Sequence, residues 1–175
     1  MRFTYCPHCG EQLTRKTIGD EGQIPYCNTC RVPLWDMART CVICAVVNEY
    51  KEIVLIRQSY GDTSRYVCVA GVMTMGESAE DTARREIAEE IGLSVERLTY
   101  IRSYPYIEKE LLMLGFKATV KKADFTLSGE VADAVWVPLD EASALLREGS
   151  IAQQLVQTVA KGASADEYAC AHVHS

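Results

Sequence analysis

The chain has 175 residues, of which 48% are hydrophobic and 24% charged, a balance that supports one compact core with a small appendage. Its net charge of −6 and its pI near 5.1 argue against a surface that wraps nucleic acid, which requires a basic face. No run of about eighteen or more apolar residues occurs, so no membrane partner is expected. Since the N-terminus lacks an apolar signal core, we expect a cytoplasmic protein whose thiols stay reduced.

Two C-x-x-C pairs lie in residues 1–35, a region rich in turn-forming residues and without a helical period. The pairs are Cys6 with Cys9 and Cys27 with Cys30, separated by seventeen residues. Each C-x-x-C turn presents two thiolates to one ion, and Zn²⁺ binds four such ligands in a tetrahedron. This spacing is typical of a structural zinc ribbon, and it predicts two knuckles and a short β-hairpin around one Zn²⁺.

A third pair, Cys41 and Cys44, lies in an apolar run that predicts a strand over Cys41–Val47. Residues three apart in a strand point to opposite faces, so these two sulfurs cannot easily share an ion. We therefore interpret both as core cysteines, and Cys68 and Cys170 in the same way.

Further along the chain, apolar runs and turn formers predict strands, a helix, more strands and two short helices. The helix over 78–91 has apolar residues at spacings of four, with Ser78 as a candidate cap and Gly92 as a candidate stop. This order predicts an α+β fold over 36–162, an α/β/α sandwich with a mixed sheet, followed by a flexible tail at 163–175. The other predicted strands are 53–57, 66–72, 95–106, 111–120 and 133–137, and the short helices are 140–147 and 150–161.

The predicted helix is unusually rich in carboxylates on one face. Glu86, Glu89 and Glu90 stand at i, i+3 and i+4, and Glu77 can fold toward the same face. Such a cluster is unfavourable by itself, because the carboxylates repel one another. A hard divalent cation such as Mg²⁺ or Mn²⁺ binds oxygen ligands and makes the electrostatic energy of the cluster favourable. Arg85 can hold one carboxylate in a fixed rotamer. A solvated acidic face is the alternative interpretation.

The wider segment from Gly71 to Leu93 fits G-x5-E-x7-R-E-U-x-E-E-x-G-U at every fixed position, where U is a bulky aliphatic residue. This pattern resembles the signature of the Nudix hydrolases, which cut nucleoside diphosphates linked to another moiety. The resemblance implies a mixed sheet between helices and a catalytic Mg²⁺ or Mn²⁺. It also implies that water made acidic by the metal attacks one phosphorus.

The resemblance assigns roles to individual residues. The general base varies between branches of the family, and Glu89 is our first candidate and Glu130 the second. Gly71 permits the backbone to pass close to a phosphate or metal. The implied catalytic set is Glu86, Glu89, Glu90 and Arg85, and the implied cation ligands are Glu86, Glu90, Glu89, Glu77 and Glu130.

A zinc ribbon directly before such a domain looks like the NADH pyrophosphatase branch, which splits NAD(H) into nicotinamide mononucleotide and AMP. Of that branch's motif S-Q-P-W-P-F-P-x-S, only Ser103, Pro105 and an aromatic residue at Tyr106 are present here. ADP-ribose and FAD are therefore alternative substrates. Trp35 falls where the branch places a substrate-contacting tyrosine, although it can equally be a hydrophobic plug. For Tyr104 and Tyr106, the alternative to substrate contact is an ordinary structural role as aromatic residues of a strand. The predicted substrate contacts are Trp35, Gly71, Ser103, Tyr104, Pro105 and Tyr106.

A second class of function is a zinc-ribbon module that binds RNA or senses a nucleotide. The complete set of glutamates favours an enzyme. The ribbon also lacks a basic run, because its cations are offset by nearby acids, namely Arg15 and Lys16 by Glu11, Asp20 and Glu21. We therefore predict an enzyme acting on a small dinucleotide, and the branch resemblance suggests a homodimer.

Overall fold

A computed structural model of the chain describes residues 3–162. The described residues divide into two compact units, one formed by residues 3–39 with Ile107–Leu111, the other by Thr40–Tyr106 with residues 112–162. The predicted tail at 163–175, with Cys170, lies outside the described residues. Within residues 3–162, no helix has the length and apolar character needed to cross a membrane.

The first unit contains a small antiparallel sheet of β1 (Thr14–Thr17), β2 (Gln23–Cys27) and β3 (Val32–Pro33). The pairing of β1 with β2 is the predicted hairpin. Among the described residues of this unit, only Cys6 and Cys27 are buried. A unit with so little apolar burial needs a crosslink or a metal ion for stability.

The second unit is built on a six-stranded sheet with the order β7-β8-β4-β5-β9, in which β6 also pairs with β4. Strand β4 is buried over its whole apolar run, as expected for a central strand that is covered on both faces. The strands are β4 (Arg39–Val47), β5 (Glu52–Gln58), β6 (Val69–Val72), β7 (Val95–Tyr106), β8 (Leu111–Val120) and β9 (Val131–Pro138).

One helix packs on each face of this sheet. Because successive strand residues point to opposite faces, Ile43 lies in the core that contains α2 (Ile151–Ala160), and Cys44 lies in the core that contains α1 (Ala79–Ile91). The result is the predicted α+β class, an α/β/α sandwich with a mixed sheet.

The ends of α1 follow the sequence signals. Ser78 is the N-cap, and its Oγ accepts a hydrogen bond from the backbone N–H of Asp81 at 3.1 Å. Gly92 ends the helix with a left-handed φ of 74°. The predicted apolar stripe faces the core: Ala83, Ile87 and Ile91 are fully buried, and Ala79 is partly buried against the same core.

Two predicted elements differ from the structure. The strand predicted over 66–72 is shorter, because Tyr66 and Val67 form isolated bridges to two different partners before β6 begins. The helix predicted over 140–147 is a 3₁₀ turn at Ala142–Leu145, of which only Ala142 is buried. So little apolar burial gives a longer helix no packing to stabilise it.

The three core cysteines within the described residues are buried as predicted. Cys41 is 5% exposed, Cys44 0% and Cys68 2%. Burial raises the pKa of the Cys68 thiol to about 12, and burial likewise raises the pKa of Cys44. Protonated, buried thiols of this kind act as small apolar side chains.

Candidate metal centres and active site

The four ribbon cysteines converge on one point, with all Sγ atoms within 4.8 Å of one another. The Sγ atoms of Cys6 and Cys30 are 3.8 Å apart, and those of Cys9 and Cys27 are 3.5 Å apart. Tetrahedral Zn²⁺ with bonds of about 2.3 Å to sulfur gives sulfur–sulfur separations of about 3.8 Å. The predicted clustering is therefore confirmed and fits a tetrahedral ion, while the identity of that ion stays a prediction.

The thiols of this cluster have opposite acidities. Burial raises the pKa of Cys6, but backbone hydrogen bonds from His8 and Cys9 outweigh it and bring the value to about 6. The pKa of Cys30 rises to about 12, because its hydrogen bond with the sulfur of Cys9 and its burial both disfavour the thiolate. A bound cation would stabilise the thiolate form of the sulfurs that it binds.

The second candidate site is organised by Arg85, which lies in the middle of the carboxylate face of α1. Its Nη1 donates to Glu86 Oε1 at 2.8 Å and to Glu89 Oε2 at 3.0 Å. Its Nε donates to Glu77 Oε1 at 2.7 Å. One guanidinium thus orients three of the four carboxylates predicted to converge, because its planar donors have fixed directions.

Glu77 is anchored through both of its carboxylate oxygens. Arg85 donates to each of them, and Oε2 also accepts from Thr82 Oγ1 at 3.0 Å and from the backbone N–H of Thr74 at 3.4 Å. The hydrogen bond with Arg85, followed by that with Thr74, lowers the pKa of Glu77 to about 2. Since these donors engage both oxygens, the arrangement supports an anchoring role for Glu77 and gives no support to its predicted role as a metal ligand.

Glu90 shows the opposite environment. Its side chain is 6% exposed, and its buried Oε2 has no hydrogen-bond partner among the described residues. Burial first, and then the charges of Glu86, Glu130 and Glu89, raise its pKa to about 8. An unpartnered carboxylate oxygen is costly to bury, and a hard divalent cation is the ligand that would compensate for it. The donor set therefore fits Mg²⁺ or Mn²⁺.

Glu86 lies against the backbone of β6. Gly71, which pairs with Val42 of β4, lies directly beneath the Glu86 carboxylate, so that a Cβ built on Gly71 would overlap Cδ and Oε1 of Glu86. The sequence predicted close approach of a phosphate or metal at Gly71, and the structure shows that a carboxylate of the site approaches it. Burial raises the pKa of Glu86 despite its hydrogen bond with Arg85.

Glu130 lies in the segment that precedes β9, and hydrogen bonds join this segment to the end of α1. The backbone N–H groups of Thr126 and Ser128 donate to the carbonyl oxygens of Ile91 and Glu90, each at 3.1 Å. These carbonyls belong to the last turn of α1, which has no helical partners for them. The charge of Glu130 is consequently close enough to contribute to the raised pKa values of Glu86 and Glu90.

The residues predicted to contact substrate have mixed environments. Tyr104 is 3% exposed and belongs to the core with α2, which fits the alternative of an ordinary strand aromatic. Its neighbours Ser103 and Pro105 are exposed on the other face of β7, and Tyr106 is half-buried. Trp35 is 42% exposed in the first unit. Substrate contact by these residues stays a prediction.

Sequence reasoning did not single out Thr82, Thr126 or Ser128. Thr82 lies one turn into α1, where its hydroxyl binds Glu77 and the carbonyl oxygen of Ser78. Thr126 and Ser128 act through backbone groups. A backbone contact between distant segments leaves no signal in residue type, so only the folded chain shows it.

Residues 37–159 match the family model described as the NUDIX domain, which covers most of the chain. The chain belongs to the Nudix family. The crystal structure of a Nudix hydrolase from Nitrosomonas europaea has the same fold, with a TM-score of 0.75 at 18% identity over 93% of this chain and 96% of that one.

Two curated relatives extend the similarity into the ribbon. The protein named NAD-capped RNA hydrolase NudC from Vibrio atlanticus (strain LGP32) is 30% identical over 161 residues, which is 90% of this chain and 56% of that protein. The human protein named NAD(P)H pyrophosphatase NUDT13, mitochondrial, is 34% identical over 156 residues, which is 86% of this chain and 43% of that protein. The chain thus spans about half the length of the curated relatives it matches.

Proposed function

We propose that this chain is a metal-dependent pyrophosphohydrolase that cleaves NAD(H) into nicotinamide mononucleotide and AMP. Water adds to one phosphorus, the bond from that phosphorus to the bridging oxygen breaks, and the bridging oxygen leaves with the other phosphate. The observation that supports this most directly is the buried, unpartnered oxygen of Glu90 within an ordered group of carboxylates. The names of the curated relatives, which refer to NAD(P)H and to NAD-capped RNA, support the choice of dinucleotide.

Glu86, Glu90 and Glu130 are the cation ligands that we propose. Glu86 and Glu90 are adjacent on the carboxylate face of α1, and the charge of Glu130 acts on both. When bound, Mg²⁺ or Mn²⁺ supplies Lewis acidity that lowers the pKa of water and neutralises phosphate charge. Arg85 holds Glu86 in place, and Glu77 in turn holds Arg85.

Glu89 is the general base that we propose, with Glu130 as the second candidate. The Glu89 side chain is 59% exposed, and only its Oε2 accepts a hydrogen bond from Arg85. Its other oxygen accepts no hydrogen bond from residues 3–162 and is available to accept a proton from water that attacks the phosphorus. Arg85 limits the rotamers of this side chain, which keeps the accepting oxygen near the other carboxylates.

We further propose that Cys6, Cys9, Cys27 and Cys30 bind one structural Zn²⁺. All four positions of a tetrahedron are then filled by protein sulfur, which leaves none for a reacting water. None of the seven described cysteines forms a disulfide, which suits a reducing compartment such as the cytoplasm. The branch resemblance suggests a homodimer, and sedimentation analysis tests that assembly.

A substrate panel tests the proposed activity. The panel contains NADH, NAD, ADP-ribose, FAD, diadenosine polyphosphates and nucleoside triphosphates, each with Mg²⁺ and with Mn²⁺, and products are resolved by chromatography. We expect the highest kcat/KM for NADH or NAD, with nicotinamide mononucleotide and AMP as products. Higher kcat/KM for ADP-ribose or FAD would overturn the NAD assignment, and no turnover of any compound would overturn the hydrolase itself.

Removal of NAD caps from RNA is a second candidate function, favoured by the name of the Vibrio relative. The net charge of −6 disfavours long contacts with an RNA chain. A short NAD-capped RNA and free NAD, compared over a salt titration, distinguish the two substrates. Preference for the capped RNA that falls steeply with salt would favour this candidate, whereas equal, salt-insensitive turnover would favour the free dinucleotide.

A further inference from the structure

The segment that follows β5 is attached to the backbone next to Glu130. Ser59 makes two hydrogen bonds there: its backbone N–H donates to the carbonyl oxygen of Glu130 at 2.8 Å, and its Oγ donates to that of Gly129 at 2.7 Å. The register between β5 and β9 shifts just before this point, between Arg57 and Gln58. Such an irregularity redirects the chain where a strand ends.

The residue after Ser59 is Tyr60, which is 52% exposed. Gln58 Nε2 donates a hydrogen bond to the Tyr60 hydroxyl oxygen at 3.2 Å. Burial, followed by the charges of Glu130, Glu90 and Glu86, raises the pKa of Tyr60. The phenol group is therefore protonated at neutral pH, and the two hydrogen bonds of Ser59 to Gly129 and Glu130 place the segment that carries it beside Glu130.

The hydroxyl group of Tyr60 has one proton to donate. Gln58 donates a hydrogen bond to the hydroxyl oxygen and does not use this proton. The Gln58 amide occupies a lone pair of the oxygen, and within residues 3–162 no acceptor for the Tyr60 proton is found. A neutral donor beside a carboxylate-bound cation suits an anion that the cation also binds. Phosphate oxygens are strong acceptors of such hydrogen bonds.

We propose that Tyr60 is a substrate-binding residue whose hydroxyl donates a hydrogen bond to the diphosphate of the substrate. This inference rests on the proposed function, because it requires a substrate whose diphosphate binds next to the cation. Gln58 acts as a positioning residue, because its amide sets the direction of the phenol oxygen. The role belongs to the hydroxyl and not to the ring.

Kinetics of Tyr60→Phe test the proposal, because this substitution removes the hydroxyl and keeps the ring. We expect kcat/KM for NADH with Mn²⁺ to fall about tenfold, mainly through KM, as for the loss of one hydrogen bond to a charged group. Tyr50→Phe is the matched control: Tyr50 is 68% exposed in the turn between β4 and β5, where its ring contacts Lys122. That control should retain wild-type kinetics.

Binding of ADP in the presence of Mn²⁺, measured by calorimetry, gives a readout that does not depend on turnover. We expect about tenfold weaker binding of ADP by Tyr60→Phe and unchanged binding of Mn²⁺ alone. Equal ADP affinity of Tyr60→Phe and the native chain would overturn the proposal, as would a loss confined to Tyr60→Leu, which would assign the contact to the ring. A native chain that binds no ADP would overturn it too, whereas ADP binding without hydrolysis of any dinucleotide would overturn only the proposed function.

Discussion

The guanidinium group of Arg85 binds both carboxylate oxygens of Glu77, with N–O distances of 2.7 and 3.0 Å. This pair connects the loop before α1 to the carboxylate face of the helix. The remaining Nη1 of Arg85 is thereby directed at Glu86 and Glu89. The site therefore depends on the planar geometry of arginine as well as on its charge.

Replacing Arg85 by Lys should lower kcat by about 100-fold while the protein stays folded, the upper range for loss of a residue that orients metal ligands. A lysine ammonium is a point charge and cannot bind two oxygens of Glu77 in a fixed direction. Steady-state kinetics and circular dichroism measure the two effects. Arg84→Lys is the control, since among the described residues Arg84 donates only to the carbonyl oxygen of Val95. Similar kinetics for both variants would contradict the assigned role.

Replacing Gly71 by Ala should weaken Mn²⁺ binding and lower kcat/KM by at least about tenfold, the lower range for a disturbed ligand shell. The new Cβ would overlap the Glu86 carboxylate and displace it from its place on β6. Titration with Mn²⁺ monitored by electron paramagnetic resonance gives the affinity. Gly129→Ala is a matched control, because a Cβ at that position meets nothing within 4 Å. If Gly71→Ala bound Mn²⁺ as the native chain does, the proposed ligand role of Glu86 would be wrong.

The metal-free protein should lose stability as pH rises from about 4.5 to about 8. The pKa of Glu90 rises from 4.5 to about 8 on folding, so over this range the unfolded chain has already lost a proton that the folded chain still holds. A group with a raised folded pKa stabilises the fold fully only below its unfolded pKa, and the slope is at most about 1.4 kcal/mol per pH unit. Urea unfolding at a series of pH values measures it.

The control for this pH dependence is Glu90→Gln, which is neutral at every pH. This variant should lack most of the slope and should have no hydrolase activity. Glu77 does not interfere, because folding lowers its pKa to about 2. Its contribution to the free energy of unfolding is therefore fully present above the ordinary pKa of a glutamate and is lost only as pH falls toward 2. A slope that is equal in Glu90→Gln and in the native chain would show that other groups cause it.

Replacing Cys27 by Ser should abolish binding of one Zn²⁺ per chain and unfold the ribbon. Cys27 is one of two buried residues among those described in the first unit, so loss of the ion leaves this unit almost no stabilising burial. Elemental analysis of protein purified without chelators gives the zinc content. Cys68→Ala should keep its zinc, because Cys68 is buried in the core of the second unit. Native protein without zinc would end the zinc assignment.

Local sequence patterns were sufficient for the elements whose signals lie within one or two turns of chain. Ser78 and Gly92 bound α1 as predicted, because capping and left-handed termination depend on neighbouring residues. The spacing of the glutamates within α1 predicts a shared face in the same way. The two C-x-x-C pairs predict a four-sulfur cluster, because each turn is itself a two-ligand unit.

Only the tertiary structure decided which groups join these local units. Pattern alone left Tyr104 open between substrate contact and core, because the face a strand residue occupies depends on the register of the sheet. The family resemblance named Glu130 as a ligand, but the contacts that bring it to α1 are backbone hydrogen bonds from Thr126 and Ser128, which residue type does not encode. The sequence by itself therefore determined the family, the helix with its carboxylates and the cysteine cluster. The folded chain determined which carboxylate is anchored by Arg85 and which is left buried without a partner, since these depend on contacts between residues far apart in the chain.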